Sequence, residues 1–350
     1  MKLRLAINGY GRIGRCLFRA LHESTRFRDL EVVAINEPAD LESIAYLTRF
    51  DSTHGRFPLP VEAGNSTLVV DGRPIPVSHA RTPEGVSWRD LGVDMVLECS
   101  GQYAYRRELE CFLAAGCPRL LLSHPGHGAG DVDRTIVFGI NETSVEGPER
   151  LVSAASCTTN AIVPVLTVLH RAFGVDNVLM TTLHSVMNDQ PLIDGYHHSD
   201  LRRTRSAMQS MIPVSTGLAR GVERLMPQLA GRVQAKAIRV PVLNVSAIEL
   251  SLTLQRDASV EDINTRLAAA AAERFPGLLA FSDEPHASID FNHNPHSAIV
   301  DGGQTRVSGK RLASLLVWFD NEWGFANRML ELADHWWKRA VGAGDAGPLR

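Results

Sequence analysis

Gly9-Tyr10-Gly11-Arg12-Ile13-Gly14 is the stretch that most limits what this chain can become. A G-x-G-x-x-G run means little alone. Here the apolar run Leu3–Asn8 leads into it, and Arg12–Glu23, of helical composition, leads out. That strand–loop–helix context gives the three glycines distinct uses. Gly9 permits a tight turn, Gly11 lets a pyrophosphate approach the backbone, and Gly14 lets helix and strand pack closely. Free N–H groups and the positive end of the helix then hold the phosphates. The next β-branched run, Glu31–Asn36, leads to Glu37, about twenty residues on, as such a fingerprint requires. A carboxylate there accepts hydrogen bonds from the adenosine ribose hydroxyls and repels a 2′-phosphate. The expected cofactor is NAD rather than NADP.

The rest of the first half continues the alternation. Met95–Cys99, Leu120–Leu122 and Thr135–Phe138 are further strand-like runs. Runs that are apolar throughout, separated by helices, predict a parallel sheet covered on both faces. The second half changes period. Ile248, Leu250, Leu252 and Leu254 alternate with Glu249, Ser251 and Thr253, which predicts a one-sided, mostly antiparallel sheet. Ser259–Phe275 is an expected helix with Val260, Ile263, Leu267 and Ala271 on one face and a Ser259/Asp262 capping box. Ile299–Asp301 and Ser314–Phe319 are strands, and Glu322–Ala340 is a closing helix.

The fold class is therefore α/β: a Rossmann-type doubly wound parallel sheet plus an α+β domain with a mostly antiparallel sheet. The change of pattern falls between Leu151 and Thr159. It sets a dinucleotide-binding domain at 1–156, to which helix 320–341 returns, a catalytic domain at 157–319, and a frayed tail at 342–350. With 350 residues, two domains is the natural count.

Composition narrows the function. There are 36 Lys and Arg against 39 Asp and Glu, a net charge of −3, so nothing asks for nucleic acid or an anionic membrane. No apolar run reaches the length of a membrane span, and the N-terminal residues make a poor signal peptide. The five cysteines, Cys16, Cys99, Cys111, Cys117 and Cys157, are odd in number and irregularly spaced. They suit a reducing, cytoplasmic setting, not a disulfide framework. Cys111 and Cys117 lack companions at ligand spacing, so no metal is expected.

Cys157 stands apart. It sits in Ser156-Cys157-Thr158-Thr159-Asn160, at the junction of the two patterns and ahead of the helical Ala161–Ala172, where Pro164 is tolerable only near the first turns. A thiol at a helix N-terminus is expected to have a lowered pKa. The other four cysteines read as structural. A nucleophilic thiolate wants a base, and His184 ends a strand beginning near Asn177. On sequence alone His197, His198, His293 and His296 compete with it.

Four segments carry a resemblance: NGYGRIGR at Asn8–Arg15, SCTTN at Ser156–Asn160, DLRRTR at Asp200–Arg205, and WFDNEWGFANR at Trp318–Arg328. In order and over nearly the whole chain, they resemble the glyceraldehyde-3-phosphate dehydrogenase family. The resemblance implies that Cys157 is the nucleophile and His184 its base. It implies backbone contacts from Arg12 and Ile13 to the cofactor phosphates, and a nicotinamide-holding Asn321. Arg81 is implied on the adenosine side. Ser156, Thr158, Arg203, Thr216, Gly217 and Arg239 are implied in the anion and substrate pocket. A homotetramer is implied as well, with Asn188–Ser206 between subunits near the cofactor.

Members of the family that oxidise the three-carbon aldehyde commonly carry Thr three residues after the catalytic His, where it helps hold the substrate phosphate. Here that residue is Met187, which cannot donate a hydrogen bond. HSVMNDQ at His184–Gln190, DSTHGRF at Asp51–Phe57 and the stretch Ser288–Gly309 resemble the branch that acts on a four-carbon aldehyde phosphate. That implies an NAD-dependent oxidation with the phosphate displaced from the Met187 position. The residues leave open whether water or inorganic phosphate receives the acyl group.

Overall fold

The computed structural model describes residues 2–342. The chain divides into two compact units. One runs up to Ser156 and resumes at Ala326; the other is Cys157–Phe325.

The first unit contains β1 (Leu3–Asn8), α1 (Arg12–Glu23), β2 (Leu30–Asn36), α2 (Leu41–Arg49), β3 (Phe50–Asp51), β4 (Gly55–Arg56), β5 (Val61–Ala63), β6 (Thr67–Val70), β7 (Arg73–Ser78), β8 (Met95–Glu98), α3 (Arg106–Ala114), β9 (Leu120–Leu122), β10 (Arg134–Thr135) and β11 (Leu151–Ser153). Its nine-stranded sheet has the order β10-β11-β9-β8-β1-β2-β7-β6-β5. From β10 to β7 every pairing is parallel, whereas β5, β6 and β7 form an antiparallel meander at one edge. The central strands are buried on both faces, as their unbroken apolar runs require. Leu5, Ala6, Ile7, Val96 and Leu97 are all inaccessible. Trp88, Leu109 and Phe112 fill the core beside them, and the Trp88 indole N–H donates to the Pro83 carbonyl at 3.0 Å.

Two expectations shift here. The strand expected at Thr135–Phe138 is the two-residue β10, because the Asn141 side chain takes the Val137 N–H and the Thr135 carbonyl out of any ladder. The β5–β7 meander is not visible in the sequence pattern. Its strands are short and carry Pro74 and Pro76, so they lack a clean strand period.

The second unit holds α4 (Cys157–Phe173), β12 (Val175–His184), β13 (Ile212–Val214), α5 (Leu218–Leu225), β14 (Val233–Arg239), β15 (Ser246–Leu254), α6 (Val260–Ala269), β16 (Leu279–Ser282), β17 (Ala298–Ser308), β18 (Leu312–Phe319) and the start of α7 (Trp323–Gly342). Its seven-stranded sheet runs β13-β14-β12-β15-β18-β17-β16. It is mostly antiparallel, with parallel pairs at β12–β14 and β16–β17. In β15, Ile248, Leu250, Leu252 and Leu254 point into the core as the period predicts. Ser259 and Asp262 form the capping box of α6, which buries Ile263 and Leu267 but leaves Val260, at its first position, 37% exposed. The helix is shorter than Ser259–Phe275: after Ala269 the backbone widens into a π turn, Ala270–Arg274, ahead of Pro276.

α4 begins at Cys157 rather than near Ala161, so Pro164 lies in its interior. Proline has no N–H to give the carbonyl four residues back. Burial of Ile162, Val163, Val165, Leu166 and Leu169 against the sheet outweighs that lost bond. From Ala326, α7 belongs to the first unit, where Arg26 bonds Glu331 and the Arg119 guanidinium lies over the Trp337 ring. Of the expected tail, Gly342 is the last residue of α7 and 343–350 lie outside the described residues.

Candidate active site

In the first unit the glycine loop leaves β1 and enters α1. Gly9 has φ +86°, and a Cβ there would stand 2.5 Å from the Ser100 backbone N. A Cβ on Gly14 would stand 2.3 Å from the Gly9 carbonyl oxygen. These two glycines serve the chain's own packing. Gly11 is different: a Cβ there would meet nothing within 4 Å. It caps α1 without a side-chain hydrogen bond, at the end where a helix leaves N–H groups without intrahelical partners. A bare, open approach to a helix N-terminus fits a dinucleotide pyrophosphate.

Glu37 reaches across and accepts the Tyr10 N–H at 2.8 Å and the Ala39 N–H at 3.2 Å. An ionised carboxylate has about four acceptor positions, so it fixes the loop and still has room for ribose hydroxyls. Arg81 lines the same cleft as Gly9, Gly11 and Glu37. Arg12 turns its side chain to Asp51, at 2.5 and 3.2 Å. Burial works against the Asp51 charge, but the Arg12 hydrogen bond and the His54 and Thr53 N–H groups hold its carboxyl well below the usual range.

Sequence reasoning missed the polar core under this loop. Asn36 Nδ2 donates to Asn8 Oδ1 at 2.8 Å, and Asn8 Nδ2 donates to Glu98 Oε2 at 2.5 Å. Glu98 is fully buried, which raises its pKa, and it also accepts from Ser100. The network joins the C-terminal ends of β1, β2 and β8, where open α/β sheets bind ligands.

The glycine geometry separates two substitutions. Gly11→Ala is expected to leave the melting temperature within about 2 °C and weaken NAD binding at least tenfold by calorimetry. Gly9→Ala forces a residue with a Cβ into left-handed backbone, a strain of about 1–3 kcal/mol before the clash is counted, and should lower the melting temperature clearly.

In the second unit Cys157 is the first residue of α4, and the helix packs on the sheet face toward which β12 turns Val178, Met180, Thr182 and His184. Period two along β12 thus puts His184 on the α4 side. Cys157 Sγ lies 3.9 Å from His184 Nε2. The other ring nitrogen, Nδ1, lies 2.8 Å from the Ser185 carbonyl oxygen. A carbonyl only accepts, so Nδ1 carries the proton and the Nε2 lone pair faces the sulfur. Strand pairing adds the cation: His184 is directly opposite Arg239 in β14.

The electrostatics correct one expectation. Burial pushes the Cys157 thiol up to about 11, although the Thr158 N–H and the Arg239 charge pull the other way. Burial and the Arg239 charge push His184 down to about 4. At neutral pH the pair is a thiol beside a neutral imidazole, not a preformed thiolate. The helix N-terminus does favour the anion, but desolvation of the sulfur outweighs it.

Arg239 is half-buried, and the loss of water around its guanidinium lowers its pKa. Among the described residues it makes no ion pair, and its Nε has no hydrogen-bond partner. Arg203 is ion-paired with Asp189 at 2.8 Å and lies 3.6 Å from Asp200. Thr216 Oγ1 accepts the Leu218 N–H at 3.2 Å and keeps its own proton to donate. Gly217 caps α5, which approaches the first turn of α4: a Cβ on Gly221 would lie 3.0 Å from Thr159 Oγ1. Thr158 is in that first turn, and Ser156 immediately precedes it. Asn321 Oδ1 accepts from Ser185 Oγ and Ser246 Oγ.

The competing histidines are engaged elsewhere. His197 Nδ1 accepts the Asp200 N–H, His293 stacks on Trp323 with ring centres 3.5 Å apart, and His296 pairs with Asn294; His198 is exposed to solvent. Cys16 and Cys117 are buried, and burial raises the Cys117 thiol to about 12.

Two family models match the chain. The glyceraldehyde 3-phosphate dehydrogenase NAD binding domain matches residues 3–106, and the glyceraldehyde 3-phosphate dehydrogenase C-terminal domain matches residues 156–321. Between them they take in most of the sequence, the glycine loop lying in one match and Cys157, His184 and Arg239 in the other. NAD is the cofactor, and the activity is that of an NAD-dependent oxidoreductase acting on aldehyde phosphates. The chain belongs to the glyceraldehyde 3-phosphate dehydrogenase family.

Proposed function

We propose that the substrate is D-erythrose 4-phosphate and the product 4-phosphoerythronate, which makes this an erythrose-4-phosphate dehydrogenase. The observation that carries the reading is at Met187. Its side chain has no hydroxyl, and its backbone N–H already donates to Gln190 Oε1 at 3.2 Å. Position 187 therefore offers a phosphate no donor at all. A phosphate left there without donors loses much of its affinity. A substrate one carbon longer carries its phosphate further from Cys157 and has no need of that position. Arg239, half-buried and in no ion pair among the described residues, supplies the remaining charge for an anion.

In the mechanism, His184 Nε2 takes the thiol proton as Cys157 Sγ attacks the aldehyde carbon and then gives it to the new oxyanion, leaving a neutral thiohemiacetal and a neutral imidazole. Backbone N–H groups at the start of α4 stabilise the developing oxyanion, with help from Ser156 and His184. Bound NAD supplies the hydride acceptor at C4 of its nicotinamide, and Asn321 holds the carboxamide of that ring. As the C1 hydride leaves, His184 takes the hydroxyl proton and the carbon becomes a thioester on Cys157. Once that proton has passed to solvent, His184 takes a proton from water as its oxygen adds to the thioester carbon; the C–S bond breaks, the acid leaves and His184 returns the proton to the Cys157 sulfur. Arg12, Ile13, Glu37 and Arg81 hold the dinucleotide, and Ser156, Thr158, Arg203, Thr216, Gly217 and Arg239 hold the substrate. Residues 1–156 with the closing helix act as the NAD-binding domain and 157–319 as the catalytic domain. The product's place in pyridoxal 5′-phosphate synthesis and a cytoplasmic location belong to the same proposal.

We further propose a homotetramer. Leu192, Ile193, Tyr196, Leu201 and Met211, within one segment, are each more than 70% exposed, and exposed apolar side chains gathered this way favour contact with another protein surface.

The test is NADH formation with erythrose 4-phosphate and with glyceraldehyde 3-phosphate, each with and without inorganic phosphate. Preference for the four-carbon substrate without a phosphate requirement is expected. Strict phosphate dependence with preference for the three-carbon substrate would identify the alternative, a phosphorylating glyceraldehyde-3-phosphate dehydrogenase. The anion-pocket residues are compatible with that outcome.

A further inference from the structure

Asn321 is an unusually constrained side chain. Its Oδ1 accepts from Ser185 Oγ at 3.0 Å and from Ser246 Oγ at 2.8 Å. A carbonyl oxygen has two lone pairs, so both are occupied. Ser246 Oγ in turn accepts the Ser185 N–H at 3.1 Å, which directs its own proton toward Asn321. Ser185 is inaccessible and Ser246 nearly so. Neither hydroxyl has room to trade water for its partner.

The backbone around Asn321 is pinned as well. Buried Asp320 accepts the Glu322 and Trp323 N–H groups on Oδ1 at 2.9 and 2.8 Å. Its Oδ2 accepts from Asn244 Nδ2 and the His293 N–H, both at 2.8 Å. With backbone and amide oxygen both fixed, the amide of Asn321 can present only its N–H donors to a ligand.

We propose that Ser185 and Ser246 are positioning residues that lock Asn321 as a hydrogen-bond donor, so that it grips the carboxamide oxygen of the nicotinamide and sets the orientation of the ring. This rests on the reading that Asn321 holds the nicotinamide. Without the serines the amide is free to turn, and an oxygen then faces an oxygen. Ser185 has a second duty, because its carbonyl holds the Nδ1 proton of His184. One residue thus sets both the tautomer of the base and the polarity of the amide.

The experiment is calorimetry on Ser185→Ala, Ser246→Ala, the double variant and Asn321→Ala, with NAD and with ADP-ribose, which lacks the ring. The double variant should bind NAD about tenfold more weakly, the effect of losing about 1.4 kcal/mol, with ADP-ribose affinity unchanged. Asn321→Ala should show the same split. The wild type should also bind the 3-acetylpyridine analogue of NAD, which offers a carbonyl but no amide N–H, within about threefold of NAD.

If Asn321→Ala leaves NAD affinity unchanged, the nicotinamide reading of Asn321 is wrong. If it weakens NAD but the serine variants do not, the positioning role is wrong. Equal weakening of NAD and ADP-ribose in the serine variants reduces the pair to a structural role. Loss of the acetylpyridine analogue by the wild type overturns the donor orientation.

Discussion

Cys157→Ser is expected to reduce NADH formation by on the order of 10⁴–10⁶, the range seen when a covalent nucleophile is removed from an otherwise intact site. The size follows from the surroundings of the sulfur. Burial already holds the thiol at about 11, and a hydroxyl in the same place is harder still to ionise. His184 Nε2 can share a proton with either atom, but the hydroxyl is several pKa units less acidic and a much weaker nucleophile than the thiol in a site built around sulfur. The exchange removes no large side chain, so folding should be unaffected. NAD affinity by calorimetry should stay within about twofold, since no part of the glycine loop or Glu37 involves residue 157. Turnover within tenfold of the wild type would remove Cys157 from the nucleophile's role. Loss of NAD binding along with activity would mean the variant is misfolded, and Cys157→Ala should then be measured alongside it.

The parts of this molecule that were legible in its sequence are those set by local pattern. Leu3–Asn8 and Arg12–Glu23 needed only an apolar run, a glycine turn and a helical composition. The period of two in Ile248–Leu254 marked β15 by itself. What sequence could not show depends on which strand lies beside which. Arg239 is opposite His184 only because β14 pairs with β12 in parallel at that register. Ser185 and Ser246 meet over Asn321 from three separate elements, and a serine beside a histidine carries no signal of that. The Asn8–Asn36–Glu98 network likewise exists only once β1 lies between β2 and β8. A helix N-terminus alone predicts a lowered thiol pKa; at half-buried Cys157 the desolvation of the sulfur outweighs it.

That burial makes the second large effect a pH effect. With the thiol at about 11, the fraction ionised without help at pH 7 is on the order of 10⁻⁴. His184 supplies the missing factor by accepting the proton during attack, and for this it must be neutral. Its pKa of about 4 lies below the ordinary 6.5 because burial and Arg239 disfavour the imidazolium. The competent form is therefore fully populated at pH 7 and still dominant at pH 5.5. In the wild type, kcat/KM, which reports the free enzyme, should be nearly flat from pH 8 to about 5 and fall only below that. His184→Asn should lose roughly 10²–10⁴ at pH 7. What remains should climb about tenfold per pH unit through pH 9, because thiolate then forms only by loss of a proton to solvent. Iodoacetamide alkylation of Cys157 in the variant should follow the same slope. A wild-type acid limb near pH 6.5 would show that the imidazole is not held neutral by its surroundings. A flat profile in His184→Asn would show that some other group takes the thiol proton.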